Sequence, residues 1–78
     1  MKKITETEFA AVFSELFEVN EPLNAQTDLS KYVKDSIDLG ELIAVLKERH
    51  GVEPQDMQLF KTRTALRDVL AIFNHESE

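Results

Sequence analysis

The sequence has no cysteine, only two glycines and two prolines, and no long apolar run. Without cysteine there is neither a disulfide nor a thiolate metal ligand, so 78 residues must fold on their core alone. A chain this short makes one domain, residues 1–78, and uses most of its apolar side chains on a single core worth roughly 3–5 kcal/mol. That leaves little room for a catalytic cleft. The opening Met1-Lys2-Lys3 carries positive charge but no apolar stretch behind it, which argues against a signal peptide or a membrane span. We therefore expect a cytoplasmic protein with no membrane insertion. Positive charge is also scarce: nine basic residues against fifteen acidic ones give a net charge of −6, which disfavours nucleic acid and favours partners with basic patches.

What remains is mostly helical pattern. Thr5-Glu6-Thr7-Glu8 fits a capping box, with Ile4 and Phe9 placed to staple across it. Phe9, Val12, Phe13, Leu16 and Phe17 then form one stripe, predicting a helix over 5–19 that Asn20 and Pro22 end. From Asn20 to Asp35 the pattern lapses into a long connection, of the kind that is often functional, in which Leu23, Leu29, Tyr32 and Val33 are the side chains available to pin it. Leu39, Leu42, Ile43 and Leu46 predict a second helix over 36–50. Its acids lie near the start, its basic residues near the end, and Gly51 terminates it. Pro54 suits the start of a short helix over 54–60 containing Met57 and Phe60. Thr62 or Thr64 is placed to cap a last helix over 64–74, with Leu66, Val69, Leu70 and Phe73 inward and the chain fraying into Asn74-His75-Glu76-Ser77-Glu78. With no sustained period-two alternation, the fold class is all-α: three main helices plus one short helix, with a long loop between the first two.

The informative segment is Asp35-Ser36-Ile37-Asp38-Leu39-Gly40-Glu41-Leu42, where a serine between two aspartates stands at the junction of the long loop and the second helix. Unpaired N–H groups and the positive dipole end at such a junction suit a phosphate on the serine oxygen, and the position is open to a modifying enzyme. The same residues also have a plain structural use, Asp35 or Ser36 as N-cap and Asp38 and Glu41 as first-turn acids. Other chemistry is poorly supported. Ser36 has no neighbouring base or nucleophile elbow, so no catalytic residue is assigned. His50 and His75 lack further ligands, so no metal site is assigned either. His50 reads as a cation at a helix end and His75 as part of a disordered tail.

The segment resembles the attachment motif of acyl carrier proteins, with Asp35, Ser36, Ile37, Asp38, Glu41 and Leu42 at the family's positions. The likeness extends along the chain, through Thr27-Asp28-Leu29 in the loop and Pro54 before a short third helix. It implies an acyl-carrier-like bundle bearing covalent 4'-phosphopantetheine, donated by coenzyme A, on Ser36. The implied protein is a monomeric non-enzyme that carries acyl groups as thioesters in a specialised pathway of fatty acid biosynthesis, lipid metabolism or polyketide synthesis. Its implied partners are a phosphopantetheinyl transferase and acyl-transferring or ketosynthase-type enzymes with basic docking patches. Asp35, Ile37, Asp38, Glu41, Ala44, Val45 and Glu48 would form the partner-recognition surface. The alternative is an unmodified helical adaptor that binds proteins through its second helix. Lys34, Gly40, Lys47 and Arg49 depart from the family pattern and point to a specialised partner set.

Overall fold

The computed structural model describes residues 3–76 apart from the side chain of Met57. Three α-helices, α1 (Glu6–Phe17), α2 (Ser36–His50) and α3 (Leu66–Phe73), alternate with two short 3-10 helices at Leu29–Lys31 and Met57–Lys61. No strand forms among the described residues; the one extended pairing is an isolated bridge between Asp28 and Ala65. α1 packs on both α2 and α3.

The start of α1 is set by its capping box: Glu8 N–H donates to Thr5 Oγ1 at 3.1 Å, and Thr5 N–H donates to Glu8 Oε1 at 3.0 Å. Its end comes earlier than the turn residues suggested. Glu18 adopts a left-handed φ of 54°, and Val19 N–H turns back to the Ser14 carbonyl, so the helix stops before Asn20 and Pro22. The stripe divides by depth, with Phe9, Val12 and Phe13 buried and Leu16 and Phe17 packed at the margin. Phe9 and Phe13 stack with centroids 6.1 Å apart, and Phe9 meets Phe73 of α3 at the same distance. Leu42 and Leu46 of α2, with Leu66, Val69 and Phe73 of α3, complete the main cluster.

The long connection is ordered by its own polar groups. Asn24 and Thr27 close a turn, Thr27 Oγ1 accepting from Asn24 N–H and the Asn24 carbonyl from Thr27 N–H, each at 3.0 Å. Asp28 then caps the unforeseen 3-10 helix through Ser30 N–H at 2.9 Å. Leu29 enters the core, Leu23, Tyr32 and Val33 pack against it, and Glu21 Oε1 accepts from both Lys31 Nζ and Tyr32 Oη at 2.9 Å.

Three expectations fail on the C-terminal side. Pro54 opens no helix: the short helix is 3-10 and its start is set by Asp56, whose backbone is extended and whose Oδ1 takes Gln58 N–H at 2.9 Å, while Gln55 N–H bonds the Ile72 carbonyl at 2.9 Å. Neither Thr62 nor Thr64 caps α3. The cap residue is Ala65, and the first N–H groups of the helix go to loop carbonyls instead, Leu66 to Thr27 at 2.8 Å and Arg67 to Ala25 at 2.9 Å. The end does not fray at Asn74 or His75, while Ser77 and Glu78 lie outside the described residues. The Asn74 side chain is buried and exchanges two bonds of 2.8 Å with the backbone of Ile4, while the His75 ring bonds the Glu53 carbonyl at 2.8 Å.

Candidate functional site

Asp35 decides the local geometry. Its backbone is extended, and its Oδ1 accepts from Ile37 N–H and Asp38 N–H, both at 3.0 Å, so the aspartate rather than the serine is the N-cap of α2. Ser36 is thereby the first residue of the helix and solvent-exposed, and its hydroxyl has no hydrogen-bond partner among the described residues. Asp38 reaches back to accept from Lys34 N–H at 3.2 Å, which fixes the last residue of the loop as well. The N–H groups expected to be open to a phosphate are therefore partly taken, leaving that of Ser36 itself without a partner among the described residues.

Beyond Ser36 the helix separates two faces. Leu42 and Leu46 are buried and Leu39 and Ile43 half-buried, whereas Ile37, Glu41, Ala44 and Glu48 are all exposed. Spacings of four, three and four residues put those four on a single stripe opposite the core. Ile37 is 71% exposed, the one large hydrophobic side chain so placed among the described residues. Asp38 and Val45 lie on the flank of this stripe, half-buried, and Val45 packs partly against the core. The seven-residue candidate docking set thus divides into the exposed N-cap Asp35, an exposed line of four and two flanking residues.

Of the atypical residues, two have partners within the chain. Arg49 bonds Glu15 at 2.9 Å and ties α2 to α1, and Lys47 pairs with Glu53 at 3.2 Å just beyond the helix. The Arg49 hydrogen bond and charge hold the Glu15 carboxyl below its ordinary 4.5. Gly40 is exposed, and a Cβ built there meets nothing within 4 Å.

The structure also supplies a wall that the sequence did not announce. A groove beside Ser36 is lined by Val33, Lys34, Asp35 and Leu39 on one side and by Gln58, Phe60 and Lys61 of the second 3-10 helix on the other. Under it lies an apolar cavity of about 60 Å³, lined by Leu29, Ser30, Val33, Leu39, Leu42, Phe60, Thr64 and Val69. Val33, Leu39 and Phe60 border both spaces, so the cavity adjoins the groove that holds the serine. Among the described residues no group of three or more His, Cys, Asp or Glu comes together as a metal site, and no helix is long and apolar enough to cross a membrane.

An exposed, unengaged serine at the first residue of a helix, with an adjoining groove, fits a covalent arm. The family profile described as a phosphopantetheine attachment site matches residues 7–72, and the chain belongs to that family of carrier modules, which bind 4'-phosphopantetheine covalently. No curated protein and no solved structure matches the chain.

Proposed function

We propose that the protein is an acyl carrier, with Ser36 as the residue that bears the arm and acyl intermediates carried as thioesters at the arm's end. The observation that carries this reading is the position of Ser36, exposed with a free hydroxyl one residue after an aspartate that has taken over the capping role. Had Ser36 been the N-cap, its oxygen would be engaged with the helix backbone. In the modification, Ser36 Oγ bonds to the phosphorus carrying the pantetheine of coenzyme A, the P–O bond joining that phosphorus to the rest of the pyrophosphate breaks, adenosine 3',5'-bisphosphate leaves, and the hydroxyl proton is released. The prosthetic thiol supplies the thioester chemistry that a chain without cysteine lacks.

The chain's own part is presentation. Asp35 fixes the start of α2 and with Asp38 offers negative charge beside the serine, while the line Ile37, Glu41, Ala44 and Glu48 combines an apolar contact with acidic neighbours suited to a basic-rimmed enzyme. The cavity beneath Leu39 and Phe60 gives a short acyl group an apolar refuge. By proportion with the ~150 Å³ that hold a benzene ring, it takes two or three carbons as it stands. A specialised lipid or polyketide pathway is supported by Lys34 and Gly40. It draws less support from Lys47 and Arg49, whose partners lie within the chain.

Intact mass after incubation with coenzyme A and a phosphopantetheinyl transferase tests the reading. Wild-type protein should gain one phosphopantetheine and Ser36→Ala none; absence of any gain with several competent transferases would leave the unmodified adaptor. The loaded protein, offered to general fatty acid synthase enzymes, should turn over poorly, and turnover equal to that of their own carrier would sink the specialised assignment.

A further inference from the structure

A phosphodiester on Ser36 enters an unfavourable electrostatic corner. Asp35 and Asp38 flank the serine, the chain carries −6, and the N–H groups of Ile37 and Asp38, which a helix start would offer to an anion, already donate to Asp35 Oδ1. Beyond the free N–H of Ser36 itself, the remaining sources of positive charge are side chains, and the groove beside Ser36 contains two: Lys34 at the end of the loop and Lys61 at the end of the second 3-10 helix. Lys3, Lys31, Lys47 and Arg49 each pair with a glutamate, whereas Lys34 and Lys61 join no ion pair among the described residues. The backbone of Lys34 is held by Asp38 Oδ2, so its flexible stem starts from a fixed point beside the serine.

We propose that Lys34 and Lys61 are positioning residues that seat the phosphate of the arm in the groove between the start of α2 and the 3-10 helix Met57–Lys61. The arm's apolar portion then crosses Leu39 and Phe60, and the Gln58 amide on the same wall matches the arm's own amides. This rests on Ser36 being the attachment point, and its test begins only with protein whose loading is established by mass.

The experiment compares unloaded and loaded forms of wild type, K34Q/K61Q and K34R/K61R by thermal unfolding at ~10 mM and ~0.5 M salt, where charge screening is weak and strong respectively. It adds the phosphorus NMR resonance of each loaded form. At low salt, loading should lower the Tm of K34Q/K61Q by about 3–6 °C more than that of wild type. That excess should vanish at high salt, K34R/K61R should behave as wild type, and the phosphorus resonance should move only in the glutamine variant. The single variants K34Q and K61Q, each expected to show about half the effect, cover a double variant that folds or loads poorly. An equal response to loading in wild type and the glutamine variants at low salt, with unmoved phosphorus resonances, overturns the proposal. A wild-type chain that gains no mass removes the Ser36 assignment instead.

Discussion

At the scale of single residues, Asp35 and Ser36 divide two tasks that the sequence alone left undivided. Either could have capped α2, and only one could then have kept a free hydroxyl. Asp35 takes the cap with two 3.0 Å bonds, and Ser36 is left exposed at the first helical position. The aspartate's two attributes, acceptor oxygen and charge, can be separated by substitution. Asp35→Ala removes the cap and should lower stability by about 1 kcal/mol, whereas Asp35→Asn keeps an acceptor oxygen and should change it by only a few tenths. Urea unfolding of the two variants checks this, and their loading rates, read by mass, report separately on charge. If Asp35→Asn unfolds as readily as Asp35→Ala, the carboxylate's charge rather than its hydrogen bonds holds the helix start.

At the scale of elements, α2 carries a defect and the other helices do not. Gly40 sits in the first half of the helix, exposed, with open space where a side chain would be. Gly40→Ala should stabilise the protein by about 1 kcal/mol, raising Tm by roughly 4–8 °C, since nothing has to move to admit the methyl group. Unchanged Tm would mean that the first turns of α2 are already frayed in solution. The ends of this helix are legible in the sequence because their determinants are local: Asp35 at one end, and at the other Gly51, in the left-handed region with φ 68°. The start of α3 is not legible, because its donors Leu66 and Arg67 find carbonyls some forty residues earlier, at Thr27 and Ala25. The short helix starts after Asp56 and not at Pro54, and its determinant is local: Asp56 Oδ1 takes Gln58 N–H, a cap that the helix-start preference of Pro54 obscures in the sequence. The candidate site divides likewise. Asp35, Ser36 and the stripe Ile37, Glu41, Ala44 and Glu48 follow from helical spacing, but Gln58, Phe60 and Lys61 join the serine only through tertiary folding.

At the scale of the whole molecule, the same logic extends to the join between the two ends of the chain. A domain this small has no disulfide and a core worth only a few kcal/mol, so polar contacts between remote segments matter in proportion. Loop and α3 are joined by backbone bonds, and α1 is joined to α2 by Arg49 and Glu15, an exposed pair of small value. The buried join is Asn74, whose amide gives Ile4 a partner for both its N–H and its carbonyl at 2.8 Å and so does for this segment what a strand pairing would. Ile4 is itself in the core beside Phe9, so losing the join would also loosen the start of α1. Asn74→Ala strands two backbone groups in an apolar setting and should cost about 2–4 kcal/mol, a large part of the total, lowering Tm by some 10–20 °C. Asn74→Asp keeps the acceptor for Ile4 N–H but faces the Ile4 carbonyl with an oxygen, so it should be nearly as damaging at neutral pH and recover as acid protonates the carboxyl. A loss below about 1 kcal/mol in both variants would show that water satisfies Ile4 as well as Asn74 does, and that the N-terminal segment is held by the burial of Ile4 alone.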